Sequence, residues 1–182
     1  MLAQEEVDSG SSYKSLRSVR IRLAENEDDL LSLRPLSQAF HSESRYSSVP
    51  YSFEKRDKLF QRAIDEPKYT GLLIAESGGK PVGFLFCTVG EYIVGTGNLF
   101  TTIHSFYVDQ TLRGSLAGGR TAARLLQGVI KWSKVRGVDE ILAHVTSGFD
   151  LKRIDRFFRH AGFKTIGGNY ALSLQVSDGA SG

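Results

Sequence analysis

The sequence predicts an α/β fold: a mixed, mostly antiparallel sheet of about six or seven strands flanked by about four helices. Three observations carry the prediction. Several short runs alternate apolar and polar residues, as half-buried strands do. Other segments space their apolar residues for one face of a helix. A central meander of strands, separated by glycine-rich turns, gives way to strand–helix–strand–helix.

Val19, Ile21 and Leu23 alternate with Arg20 and Arg22, which reads as a strand with one buried face. Asn26 is placed to cap the next helix, with Glu27, Asp28 and Asp29 in its first turn, where acids suit the helix dipole. Leu30, Leu33, Leu36 and Phe40 share one face, and Pro35 inside that pattern predicts a break or kink. His41 to Tyr51 reads as a polar, aromatic loop. Ser52 caps a second helix with the stripe Leu59, Phe60, Ala63 and Ile64, stopped before Pro67. A hairpin follows: Leu72 to Ala75, the turn Ser77-Gly78-Gly79-Lys80, and a long strand from Val82 to Val94. Gly95-Thr96-Gly97-Asn98 turns into a third strand, Leu99 to Val108. The Gly-rich stretch Arg113 to Gly119 leads into an amphipathic helix. Its inner face is Ala122, Leu125, Leu126, Val129 and Ile130, and Gly137 ends it. Ile141 to Val145 is a strand, Leu151 to Ala161 a short helix, and Phe163 to Leu174 a final hairpin. Residues 1–17 read as a flexible lead-in and 177–182 as a frayed tail, leaving one domain over 18–176.

Composition narrows the function. A chain of 182 residues with 41% hydrophobic and 24% charged residues has material for one real core. No apolar run is long enough to span a bilayer, so no membrane role is expected, and the polar start shows no secretion signal. A single cysteine, Cys87, rules out an internal disulfide framework and suits a reducing cytosol. It lies in an apolar stretch and reads as an inert buried thiol. A net charge of +3 argues against nucleic acid as partner, yet suits an acidic ligand. No Cys/His cluster has metal-ligand spacing, so no metal is expected.

The chemically informative stretch is Tyr107-Val108 followed by Arg113-Gly114-Ser115-Leu116-Ala117-Gly118-Gly119-Arg120-Thr121-Ala122. A Gly-rich turn at a helix N-terminus points several backbone N–H groups at one place, and the helix dipole favours an anion there. Arg113 and Arg120 add cations for phosphates. Glycine-rich turns are common, so taken alone this stretch reads as a plain loop with a glycine-rich helix start. It is not a P-loop, lacking the Gly-Lys-Ser/Thr ending, nor a dinucleotide fingerprint, lacking Gly-x-Gly-x-x-Gly spacing.

The element order and this loop resemble the GNAT N-acetyltransferases. That family has a strand ending in Val, a loop with Arg-Gly, then small residues opening a helix with Leu in its second turn. Here those are Val108, Arg113-Gly114, Gly118-Gly119-Arg120-Thr121-Ala122 and Leu125-Leu126. Ala161-Gly162-Phe163 stands where the family has Leu-Gly-Phe, and Pro81-Val82-Gly83-Phe84 is similar to its Ile-Val-Gly strand start. The run His41-Ser42-Glu43-Ser44-Arg45-Tyr46 and the Arg-Ala-Ala-like helix start look closest to a phage-type branch of small members.

The resemblance implies acetyl-CoA as acyl donor, held in a gap between the strand 99–108 and the strand 141–145. It implies the cofactor-binding residues Phe106, Tyr107 and Val108 on the strand, and Arg113, Gly114, Gly118, Gly119, Arg120, Thr121 and Ala122 on the turn and helix. It implies direct attack by a primary amine of a small molecule or protein, and it allows a homodimer. Glu43 and Tyr46 are the substrate-side candidates. A catalytically impaired binding module that still takes CoA is the alternative.

Three departures accompany it. The stretch from Arg113 to Ala122 looks about four residues too long for the usual spacing, with Leu116 where a glycine is usual. No carboxylate lies early in the strand before the loop, where many members carry a general base. His104 is the candidate there, on the face of Thr102, Phe106 and Val108, and it reads equally as a structural histidine. His144 on the neighbouring strand reads as structural. Phe158 stands at the family's general-acid tyrosine and has no proton to give.

Overall fold

The computed structural model describes residues 19–145 and 150–168. The chain divides into two compact units, Met1–His144 and Val145–Gly182, each described by itself. In the first unit the elements run β1 (Arg20–Leu23), α1 (Glu27–Ser32), α2 (Arg34–Ser42), α3 (Phe53–Asp65), β2 (Thr70–Ser77), β3 (Lys80–Glu91), β4 (Leu99–Val108), a 3-10 turn (Gln110–Leu112), α4 (Leu116–Val135) and β5 (Glu140–Ala143). One sheet carries the strands in the order β1-β2-β3-β4-β5; the first four are antiparallel and β5 runs parallel to β4.

Local chemistry sets most boundaries. Asn26 accepts the Asp29 N–H at 3.1 Å and Ser52 accepts that of Lys55 at 3.2 Å, so both expected caps are made. Pro35, without an N–H, falls in the first turn of α2, and the helical stretch breaks at Leu33. Gly78 and Gly79, with φ of 61° and 77°, form the two-residue turn between β2 and β3, where the sheet's twist demands positive φ.

Successive residues on each central strand face opposite layers. On one face, Leu72, Ile74, Phe84, Phe86 and Tyr107 pack with Leu30, Leu33, Leu36, Phe60 and Ala63 of α1–α3. Phe60 stacks on Phe86 with centroids 5.3 Å apart. Each such side chain, fully buried, contributes about 1.5–3 kcal/mol. On the other face lies α4, whose Leu125, Leu126, Val129 and Trp132 are buried. A Cβ on Gly128 would stand 2.8 Å from Leu73, which is how closely α4 approaches the sheet.

Several expectations are corrected. The sheet has five strands among the described residues, against the six or seven expected. Residues 163–168 of the expected last hairpin form no strand, and 169–174 lie outside the described residues, as do the lead-in 1–17 and the tail 177–182. The strand β3 ends at Glu91, not Val94, and Tyr92, Ile93 and Val94 are exposed. The helix α2 runs on to Ser42, into the stretch read as loop. Leu59 points outward while Arg56 takes a buried place, its guanidinium 4.4 Å over the Phe60 ring and its Nε donating to Ser37 Oγ at 3.1 Å. The Arg56 Nη1 pairs with Asp57 at 2.5 Å, while Nη2 is buried with no hydrogen-bond partner among the described residues. In the second unit, α5 spans Leu151–His160, with Phe158 against Phe163, ring centroids 5.2 Å apart.

The first strand is pinned by charge. Arg22 donates to Asp29 through both terminal nitrogens, at 2.7 and 2.5 Å, and to Glu76 of β2 at 2.7 Å. These bonds, Arg22 first, hold the buried Asp29 carboxyl below the usual carboxylate range. A depressed folded pKa means stability that is present above the unfolded value of about 3.9 and is lost as pH falls through the lower folded value. Asp29→Asn is therefore expected to cost about 2 kcal/mol at pH 7. Urea denaturation should show the gap between wild type and variant closing below about pH 4; a gap independent of pH would deny the ion pair that role.

Candidate functional site

The strands β4 and β5 pair only from Phe100↔Glu140 to Ile103↔Ala143. Beyond Ile103, β4 continues to Val108 with β3 on one side and, among the described residues, no strand on the other. A strand edge can pair with an extended ligand through its backbone groups.

At the fork β4 carries a bulge. Phe86 pairs with Ser105 and Cys87 with Ile103, so His104 has no opposite residue on β3. The extra residue resets the alternation. His104 lies with Phe86 on the α1–α3 side, and Ser105 and Tyr107 follow on that side; the register turns Phe106 and Val108 to the α4 side. The expected common face of His104, Phe106 and Val108 is thus corrected. The His104 Nε2 is 2.8 Å from the Thr88 hydroxyl, and its ring lies 5.8 Å from that of Phe86. Desolvation, then the charges of His144 and Arg62, push its pKa below the ordinary histidine value, so the ring is neutral at pH 7.

The strand then runs into a tight turn and α4. Asp109 accepts the Thr111 N–H at 2.8 Å and the Thr111 hydroxyl at 2.6 Å, which closes the 3-10 turn. Gly114 takes φ of 78°. Ser115 caps α4 by accepting the Gly118 N–H at 3.1 Å. The helix therefore begins at Leu116, and Gly118 to Ala122 are already helical. The N–H groups of Leu116 and Ala117 have no acceptor within the helix, by its geometry, and form an anion-favouring pole. Neither residue is among the expected contacts, although Ser115 before a helical pattern is a readable cap.

Some expected cofactor contacts have structural duties instead. A Cβ on Gly118 would stand 2.1 Å from the Leu112 carbonyl, so that glycine lets the 3-10 turn sit on the helix. Thr121 is 0% exposed and its hydroxyl donates to the Ala117 carbonyl at 2.9 Å, which withholds it from a ligand. Ala122 is half-buried a full turn into the helix. Gly119 is exposed, its N–H bonded to the Ser115 carbonyl, and Arg120 is exposed beside it. Leu116, where a glycine was expected, is 68% exposed at the first helical position.

A second cluster joins the end of α2 to this turn. Glu43 accepts the Tyr107 hydroxyl at 2.7 Å and pairs with Arg113 through its other oxygen. The Arg113 Nε donates to the Val108 carbonyl at 2.9 Å, and its guanidinium lies 4.6 Å over the Tyr107 ring. Burial, then the bond to Glu43, raises the Tyr107 pKa, so the phenol stays protonated. Tyr46 lies at the surface under Arg45, 5.5 Å from its ring, and takes no part in the cluster. His41 bonds the Val49 carbonyl through Nε2 at 2.7 Å. Among the described residues no three His, Cys, Asp or Glu side chains are grouped to share a metal ion, and no helix is long and apolar enough to cross a membrane.

Residues 36–163 match the model of the acetyltransferase (GNAT) family. No curated protein matches significantly. Among solved structures, similarity extends to AAC(6')-Iy in complex with the bisubstrate analog CoA-S-monomethyl-acetylneamine. That pair has 14% identity, a TM-score of 0.67, and coverage of 87% of this chain and 99% of the other. A ribosomal-protein-alanine N-acetyltransferase from Brucella melitensis biovar Abortus 2308 has 16% identity, a TM-score of 0.61, and coverage of 87% and 100%. Glucosamine-6-phosphate N-acetyltransferase from Arabidopsis thaliana has 12% identity, a TM-score of 0.63, and coverage of 87% and 99%. At these identities the likeness is one of fold.

The packing of Gly118 yields a direct expectation. Gly118→Ala forces its methyl into the Leu112 carbonyl and should lower stability by about 1–3 kcal/mol. Gly119→Ala meets nothing within 4 Å and should be neutral or slightly stabilising, since alanine is the better helix former. Thermal melts of the two variants check both; equal melting points would mean that the turn yields easily.

Proposed function

The chain belongs to the GNAT family of acetyltransferases, whose acyl donor is acetyl-CoA, and we propose on that premise that it acetylates a primary amine by direct attack in a ternary complex. The observation that supports the proposal is that β4 runs on past the last residue it pairs with β5, Ile103, and leads through the 3-10 turn into the amino end of α4. An extended arm bearing amides, with a diphosphate at its end, matches that arrangement. The residues present fit such a ligand. The end of β4 before the 3-10 turn faces the arm. The N–H groups of Leu116 and Ala117, with Gly114, Arg113 and Arg120, serve the phosphates.

When bound, acetyl-CoA supplies an activated thioester. The chain's part is to orient the amine, favour its neutral form and remove a proton. His104 is assigned that last role. With Nε2 donating to the Thr88 hydroxyl, Nδ1 keeps a lone pair for the amine's proton. The amine nitrogen would bond to the acetyl carbon as the carbon–sulfur bond breaks, with water supplying the proton that the departing sulfur takes. The acceptor is an amine of unspecified class. The three solved proteins named above are a complex with a CoA-S-monomethyl-acetylneamine analog, a ribosomal-protein-alanine N-acetyltransferase and a glucosamine-6-phosphate N-acetyltransferase. Fold does not choose among such substrates.

Phe158 and the exposed Leu116 favour a second reading, in which CoA is bound without turnover. Free-thiol release over a panel of amines separates the two. In the first reading, His104→Ala lowers kcat by about 10²-fold and leaves acetyl-CoA affinity within about twofold, a shift worth under 0.5 kcal/mol. The kcat/KM profile of the wild type should rise with pH through a pKa below 6.5, a limb absent from the variant. A wild-type rate in His104→Ala would leave that histidine a structural residue.

A further inference from the structure

One guanidinium sits between the two sides of the site. The backbone side is the α4 pole of Leu116 and Ala117 with Gly114; the other is the carboxylate of Glu43, carried by the end of α2. Arg113 is anchored at its root by the bond from Nε to the Val108 carbonyl and by its place over the Tyr107 ring, so it cannot leave the region. Its outer nitrogen Nη1 is engaged by Glu43. Glu43 does not depend on that partner alone, since its other oxygen accepts the Tyr107 hydroxyl at 2.7 Å. The pair is partly exposed, with side-chain exposures of 40% for Arg113 and 24% for Glu43, so it is worth only about 0.2–1 kcal/mol.

We propose that Arg113 is a shared cation: in the free chain Glu43 holds it, and a diphosphate bound at the start of α4 must draw it away, so Glu43 is a built-in competitor of the acyl donor. This rests on the acetyl-CoA reading above. Glu43 is then a positioning residue whose carboxylate sets donor affinity through Arg113. Tyr107 keeps the carboxylate in place when the arginine turns. The energies agree with such a switch. A surface ion pair yields readily to a doubly charged phosphate group, because charge-assisted bonds to phosphate are among the stronger ones, whereas a deeply buried pair would resist.

The test is calorimetric titration of the full chain with acetyl-CoA in wild type, Glu43→Gln, Arg113→Ala and the double variant. Glutamine keeps an oxygen for the Tyr107 hydroxyl and removes only the charge; melting curves confirm that each variant is folded. Glu43→Gln should tighten Kd by about two- to fivefold, the release of a pair worth up to about 1 kcal/mol. Arg113→Ala should weaken it, and adding Glu43→Gln to Arg113→Ala should bring no gain. An unchanged or weaker Kd in Glu43→Gln overturns the proposal, as does a gain that persists without Arg113. If wild type itself does not bind acetyl-CoA, the donor reading falls first and the proposal with it. Inorganic pyrophosphate as competitor should follow the same order across the four proteins; a reversed order also overturns the assignment.

Discussion

The parting of β4 from β5 after Ile103 and Ala143 is the constraint on which the rest of the site depends. A parallel pair that continued to Val108 would satisfy the edge and leave nothing for a ligand to bond. Past the break, among the described residues, β4 pairs with β3 alone, which holds it from that side. Rigidity matters because a ligand ordered on a preformed edge pays little for reorganising the protein. The bulge at His104 falls at the same point. It brings a titratable ring to the fork and turns the following residues, so that Tyr107 enters the core under α2.

From that geometry the polar groups sort themselves by cost. Tyr107 is 4% exposed and would be expensive to bury with its hydroxyl unpaired; Glu43 supplies the acceptor. That bond ties the end of α2 to β4, and the second oxygen of Glu43 reaches Arg113. A requirement of the core therefore fixes a charge at the mouth of the site. The same economy applies at the far edge of the sheet, where Arg22 serves both Asp29 and Glu76. There the carboxylates are part of the scaffold. At Glu43 the partner is exposed enough to be exchanged.

Much of the scaffold was legible because it is written in local chemistry. Asn26 and Ser52 as caps, Pro35 as a break, Gly78-Gly79 as a hairpin turn and the stripe Leu125, Leu126, Val129 each act over a few residues. The bulge was not legible. Period-two counting assigns faces by parity, and one unpaired residue at His104 inverts every later assignment without leaving a mark in composition. The approach of Glu43 to Arg113 was hidden for a related reason. It depends on how α2 crosses β4, and no local pattern encodes a contact between residues 70 apart.

The glycine-rich stretch shows that residues expected to serve a ligand can also carry structural duties. Gly118, Gly119 and Thr121 suggested a phosphate cradle because small residues admit a ligand. In the structure Gly118 admits the Leu112 carbonyl, and Thr121 is sealed against the sheet side of α4. The anion-favouring groups lie one step earlier, in the backbone of Leu116 and Ala117, and a backbone N–H has no side-chain signature. That distinction also explains why a leucine is tolerated at position 116, where a glycine was expected. At the first position of a helix, the side chain of an ordinary residue projects to solvent while its N–H still points along the axis. The backbone pole survives the substitution, and what changes is the crowding beside it. On the reading proposed above, donor binding would then lean more heavily on Arg113 next door, which gives the contest between Glu43 and a diphosphate its leverage.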